Sequence, residues 1–355
     1  LGRPCLYGEA DGLFFQEYGI MATTLAVLGD GAWGIATALL LASKTDHRVR
    51  LWSALPEAGA ELQRQRENAR LLPGVRIPEH IHLTTDAAEA TREADLWVSV
   101  IPTVYLRTTL QRLLREAGSP PAVVSLTKGI EIGTFARPSE IVAQVLQASR
   151  VAVLSGPSHA EEVSRGLPTS VVAASEDEAL AHQVQQVFTT ERFRVYSNLD
   201  PIGVELAGAL KNVIGLAAGI CDGMGYGDNA RSALMTRGLV EMTRFGVALG
   251  ADASTFAGLA GLGDLITTCV SPHGRNRSVG YRLGAGEKIA DILASMSQVA
   301  EGVTTTKAAY ERAQSMGLDL PIITEAYRVL YEGKSPIEAV PALMGRSPKG
   351  ERWPA

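Results

Sequence analysis

Apolar and polar positions along this chain fall into two textures. In the first half, short apolar runs recur, bounded by glycine or charge and separated by stretches of helical period. Thr24–Leu28, Val49–Trp52, Leu96–Ile101, Ala122–Leu126, Val151–Leu154 and Thr169–Ala173 read as buried strands. Strands alternating with helices imply right-handed crossovers and a largely parallel, doubly wound sheet. After Ser197 the pattern changes. Asp200-Pro201 has the form of a helix start, an N-cap residue followed by proline at the first helical position. From there to Met344 the periodicity is helical with glycine-rich joints. Helices are expected over about 201–219, 230–249, 303–316, 322–332 and 336–343.

The fold class is therefore α/β, an N-terminal doubly wound sheet followed by an all-α C-terminal part. The expected division is 21–197 for the sheet domain and 198–345 for the helical one. Two domains also suit a chain of 355 residues. Residues 1–20 lack the basic-then-apolar order of a signal peptide and are expected to form a disordered extension. Residues 346–355 read as a loose tail.

Composition narrows the class. With 46% apolar and 20% charged residues the chain has the makings of a substantial core. A net charge of −5 argues against coating nucleic acid or anionic membrane, so an anionic ligand needs a local basic cluster. Cys5, Cys221 and Cys269 are too dispersed for a disulfide framework or zinc knuckle and fit a reducing cytoplasm. Lys211 splits the longest apolar run, so no membrane span is expected.

That lysine is the first candidate for chemistry. From Leu206 to Cys221 the sequence reads LAGALKNVIGLAAGIC, with Lys211 its one charged side chain. A helix apolar on every face is buried on every face, and an ammonium there needs a partner, a cavity or a lowered pKa. Lys211 either lines a cleft as a proton donor and acceptor, or runs its stem along the core with its head in water.

Gly29, Gly31 and Gly34 fit G-x-G-x-x-G directly between a strand and a helix, with Ala32 and Trp33 inside the motif. Such glycines allow a tight turn, close approach to a pyrophosphate and tight helix packing, and the helix N-terminus favours phosphate. An NAD-type fold then expects an acid at the end of the second strand. Here Ser53, Ala54 and Leu55 stand there, neither acidic nor basic, which leaves NAD and NADP both open.

Four further segments carry polar chemistry. Lys128 follows the strand Ala122–Leu126, at the edge where parallel sheets bind ligands. SGPSHAEE repeats the theme after the next strand, with Gly156 permitting close approach and Ser158 expected to begin a helix. Either segment is equally readable as an ordinary strand-to-helix turn. Asp264 is the one acid in GLAGLGDLITTC and needs a cation or backbone donors; Lys211 is the natural partner, and capping a short helix is the alternative. HGRNRS gathers Arg275, Asn276 and Arg277 in what reads as a glycine-flanked loop, suited to phosphate or simply solvated. His80 and His82 lack a third ligand, so no metal is assigned, and His159 either borders the crevice or makes a structural hydrogen bond.

Taken together, GDGAWG, IPTVYLR, SLTKGIE, SGPSHAEEV, ELAGALKNVIGLAAGICDGMGYGDNARSALMTRG, GLAGLGDLITTC and GRNR resemble, in order, the bacterial-type NAD(P)-dependent glycerol-3-phosphate dehydrogenases. The resemblance runs from about Thr24 to Met344. It implies a Rossmann-type domain followed by a helical one. The implied activity is reversible reduction of dihydroxyacetone phosphate to sn-glycerol 3-phosphate, supplying the glycerophospholipid backbone. It further implies a cytoplasmic homodimer with no nucleic acid partner and no membrane insertion.

By the same resemblance Lys211 matches the catalytic proton donor and acceptor, with Asp264 and Lys128 beside it. Lys128, Gly156 and Ser158 match substrate-contacting loops, and Arg275 and Asn276 the pair that holds the phosphate and reaches the cofactor. Gly29, Gly31, Ala32, Trp33, Gly34, Lys128 and Ala160 match positions beside the dinucleotide. Val299 and Glu301, in QVAEGV, match a late segment closing over it. Two positions depart from the family: Ala54 where many members carry arginine, and Gly274 where serine is frequent. Two rival readings are a related reductase acting on an unphosphorylated hydroxy or keto acid, and a nucleotide sensor without catalysis.

Overall fold

The computed structural model describes residues 23–351 apart from 297 and 349. The expected extension at 1–20 and the end of the expected tail, 352–355, lie outside the described residues. The sheet consists of β1 (Thr23–Leu28), β2 (His47–Trp52), β3 (His82–Thr84), β4 (Leu96–Ser99), β5 (Val123–Ser125), β6 (Val151–Ser155), β7 (Thr169–Ala174) and β8 (Phe193–Asn198). Their spatial order is β3-β2-β1-β4-β5-β6-β7-β8. The first six are parallel neighbours in the 3-2-1-4-5-6 order of dinucleotide-binding folds. β7 turns back antiparallel to β6, and β8 runs parallel to β7.

Helices α1 (Ala32–Ala42), α2 (Pro56–Gln65), α3 (Ala87–Thr91), α4 (Thr103–Ala117), α5 (Pro138–Leu146), α6 (Ala160–Val163) and α7 (Glu178–Phe188) connect the strands. Both faces of the sheet are covered, because successive residues of a strand point to opposite sides. Leu25 and Val27 join one core cluster, while Ala26 and Leu28 join another with Trp52 and Trp97. That is why the central strands read as continuous apolar runs.

The rest is helical: α8 (Pro201–Gly223), α9 (Asp228–Ala248), α10 (Ala253–Ala257), a π-helical turn (Leu259–Gly263), α11 (Asp264–Val270), α12 (Arg275–Gly284), α13 (Ile289–Ala294), α14 (Glu301–Ser315), α15 (Pro321–Tyr331) and α16 (Pro336–Met344). Asp200 caps α8 by accepting from the Gly203 N–H at 2.8 Å. α8 is the axis of this part, packed against α9, α11, α12 and α14 and against β6 of the sheet. By length and composition it is apolar enough to cross a membrane, which corrects the view that Lys211 breaks the run too early. Of its most apolar window 94% is buried inside the molecule.

Three expectations change. The Arg275–Arg277 stretch is not a loop but the first turn of α12. The helix after SGPS starts at Ala160 with His159 at its cap, two residues later than Ser158. β8 is a strand where none was expected, alternating buried Phe193 and Val195 with exposed Arg194 and Tyr196, and the stretch around His82, readable as loop or strand, forms β3.

Candidate active site

The site is assembled where α8 passes the C-terminal ends of β5 and β6. Small residues on α8 permit that approach: a methyl on Gly208 would lie 2.5 Å from the Ser155 hydroxyl. One turn on, Lys211 is 7% exposed, so its head does not reach bulk water. Its ammonium donates to Asp264 Oδ1 and to Thr268 Oγ1, each at 2.6 Å. Asp264 opens α11, and Thr268 lies four residues later, on the same helical face.

The other carboxylate oxygen, Asp264 Oδ2, accepts from the Lys128 ammonium at 2.8 Å. Lys128 also donates to the Gly156 carbonyl at 2.7 Å and to the Ser158 hydroxyl at 3.2 Å. One carboxylate thus joins a lysine of the sheet domain to a lysine of the helical part, with SGPS as the third side. Burial pushes Lys211 down to about 8, Asp264 pulling it upward and Lys128 adding to the fall. Burial alone would raise Asp264, but Lys128 and Lys211 together hold it below its usual range. His159 faces the same cluster; burial and then the two ammonium groups lower its pKa, leaving it neutral at pH 7.

A row of amides braces this cluster. Asn212 donates to the Lys128 carbonyl at 3.2 Å and accepts from Asn276 at 2.9 Å. Asn276 in turn accepts from the Gly302 N–H at 2.8 Å. Arg275, next to Asn276 in the first turn of α12, extends outward to Gln298 at 2.7 Å. Arg277 does not join it: its guanidinium grips Asp222, with Nε at 2.8 Å and Nη2 at 2.7 Å. The segment holding Val299 ties the two parts together. Gln298 donates to the Leu71 carbonyl at 3.3 Å, and Glu301 Oε1 accepts from the Thr103 N–H, at the start of α4, at 2.8 Å.

The residues present fit a dinucleotide. Gly29 has φ +120°, closed to ordinary side chains, and a methyl on Gly34 would lie 1.9 Å from the Gly29 carbonyl oxygen. Nothing approaches within 4 Å of a methyl on Gly31, so the backbone there is open to a pyrophosphate. α1 begins at Ala32 with no side-chain cap, leaving its first N–H groups available. Trp33 Nε1 and Glu301 Oε2 are buried with no hydrogen-bond partner among the described residues. Ala160 packs in the core cluster that includes Ala32 and is lined by Trp33.

Sequence reasoning named neither Thr268, nor Asn212, nor Thr103. Thr268 had a readable signal, its i+4 spacing from Asp264. Asn212 sat beside the lysine, but an asparagine in a helix carries no mark of its partner. Thr103 acts through its backbone N–H, which no side-chain pattern can reveal.

Comparison with known proteins places the chain in context. The model of the NAD-dependent glycerol-3-phosphate dehydrogenase N-terminus matches residues 24–181, and that of the C-terminus residues 200–341. A glycerol-3-phosphate dehydrogenase [NAD(P)+] of Citrifermentans bemidjiense is 49% identical over 93% of this chain and 99% of its own length. One from Geobacillus thermodenitrificans is 51% identical over 92% of this chain and 96% of its own. The crystal structure of glycerol-3-phosphate dehydrogenase from Coxiella burnetii superposes with a TM-score of 0.88 at 36% identity, over 92% of this chain and 100% of that one.

Proposed function

This chain belongs to the NAD-dependent glycerol-3-phosphate dehydrogenase family, and we propose that Lys211 is the group that exchanges a proton with its substrate. The protein is an NAD(P)-dependent oxidoreductase that interconverts dihydroxyacetone phosphate and sn-glycerol 3-phosphate. The nicotinamide supplies or accepts the hydride. In the reductive direction the Lys211 ammonium protonates the developing alkoxide; in the oxidative direction the neutral amine removes the hydroxyl proton. Asp264 and Thr268 hold that amine in place, and Lys128 adds positive potential where negative charge develops. Arg275 and Asn276 grip the phosphate, whose binding energy orients the carbon to be reduced. The glycine loop and the Val299–Glu301 segment hold the dinucleotide.

One observation carries this reading: a buried lysine, shared carboxylate and second lysine lie at the junction of a dinucleotide-type sheet and a helical part. A sensor would need the glycine loop alone. A cytoplasmic homodimer belongs to the same reading: the resemblance supports the dimer, and the free, buried thiols of Cys221 and Cys269 fit a reducing compartment. Lys211→Ala is expected to lower turnover by at least ~10²-fold while leaving dinucleotide affinity within about twofold. Substantial residual turnover in a folded variant refutes the assigned role.

A further inference from the structure

The end of β2 lacks the acid that commonly reads the adenosine ribose, yet a carboxylate is present there from another element. β1 and β2 run side by side, with Leu28 opposite Trp52 and the Gly29 N–H donating to the Trp52 carbonyl at 3.0 Å. The residue after Gly29, Asp30, therefore emerges next to the residue after Trp52, Ser53. Ser53 is buried, and its hydroxyl donates to Asp30 Oδ2 at 2.8 Å. Asp30 Oδ1 has no protein donor among the described residues. The carboxylate of the glycine turn is thus brought to the tip of β2, with one oxygen braced and the other free to accept.

We propose that Asp30, braced by Ser53, reads the ribose 2′-hydroxyl and makes this chain selective for NAD over NADP. The inference rests on the dinucleotide reading of the glycine loop. An ionised carboxylate only accepts hydrogen bonds, so it matches a hydroxyl donor. A 2′-phosphate offers acceptor oxygens and a charge of about −1.5 to −2, which the same carboxylate repels. Two basic groups nearby turn to backbone carbonyls, with the Arg112 Nε left without a hydrogen-bond partner among the described residues. Arg112 reaches from α4, donates to the Ala54 carbonyl at 2.6 Å and lies 5.4 Å above the Trp52 ring. Arg50 turns to the carbonyls of Glu89 and Arg92 at the end of α3. Ala54 and Leu55 supply no charge. Asp30 is thus the charged group that meets the ribose first, and Ser53 is its positioning residue.

Equilibrium titration of the full chain with NADH and with NADPH, followed by nucleotide fluorescence without substrate, tests this directly. NADH is expected to bind at least about tenfold more tightly. Asp30→Asn keeps the size and the contact to Ser53 but removes the charge; it should tighten NADPH and bring the two constants to within about threefold. Ser53→Ala, which frees the carboxylate, should narrow the gap to a lesser degree. Thermal shifts with each nucleotide should follow the same order. Equal affinity or a preference for NADPH in the parent chain, or an unchanged ratio in folded Asp30→Asn, overturns the proposal alone. Binding of neither nucleotide overturns the glycine-loop reading and the proposal with it. Tight NADH binding without reduction of dihydroxyacetone phosphate refutes the substrate assignment and leaves this inference standing.

Discussion

Lys211 titrates at about 8 because burial opposes its charge more than Asp264 supports it. The sign for activity follows from which form does the work. With Lys211 as the proposed proton donor, reduction needs the ammonium, so its kcat/KM should be level below about 8 and fall as pH rises through that value. Oxidation needs the neutral amine and should rise over the same interval. Thr268 accepts from the ammonium and so favours the charged form. Thr268→Val should therefore move both inflections to lower pH, and profiles that coincide with those of the parent chain would remove Thr268 from the proton-transfer apparatus. At this scale the lysine was legible because a lone charge in an apolar helix requires an explanation. Its acid partner was legible for the same reason, being the one acid in a glycine-rich apolar stretch. The sharing of that carboxylate between two lysines was not, since it depends on Lys128, in the loop after β5, meeting Asp264 across 136 positions of sequence.

Elements fix how accurately those side chains are held. α12 crosses α8 so closely that a methyl on Gly280 would lie 1.9 Å from the Leu216 carbonyl oxygen. Backbone cannot give way there as a flexible side chain could. Gly280→Ala should cost about 1–3 kcal/mol in chemical denaturation and lower activity too, because α8 carries Lys211 and Asn212. A loss of stability with fully retained turnover would show that the crossing is not what positions the amine. The long helices and central strands were readable from their periods. α12 was not, because its first turn, Arg275-Asn276-Arg277, is polar and follows glycine, the composition of a turn. The reversal of β7 was equally hidden, since the composition of a strand is indifferent to its direction.

Across the whole molecule, polar ties add to an apolar seam between the two parts, in which Val153 of β6 and Val172 and Ala174 of β7 pack with Val204 of α8 and Ala260. Glu301 reaches from α14 to the N–H of Thr103, and Gln298 to the Leu71 carbonyl. Glu301→Ala removes the first tie, and we expect the dissociation constant for NADH to rise about tenfold with only a small change in Tm of the nucleotide-free protein. Nucleotide titration beside thermal unfolding checks this; a large drop in Tm with unchanged affinity would make Glu301 a structural strut. The division into sheet and helical parts was visible as a change of texture near Ser197. What brings the parts together was not, because the apolar seam and the polar ties alike join residues far apart in sequence.

Two ammonium groups share one carboxylate at the heart of the site, and the histidine beside them is neutral. An odd positive charge is therefore left over in a space screened from water. A surplus of that kind favours an anion, and in the proposed reading the phosphate ester would more than offset it. Under that reading, attraction of the substrate and stabilisation of its alkoxide would stem from the same imbalance.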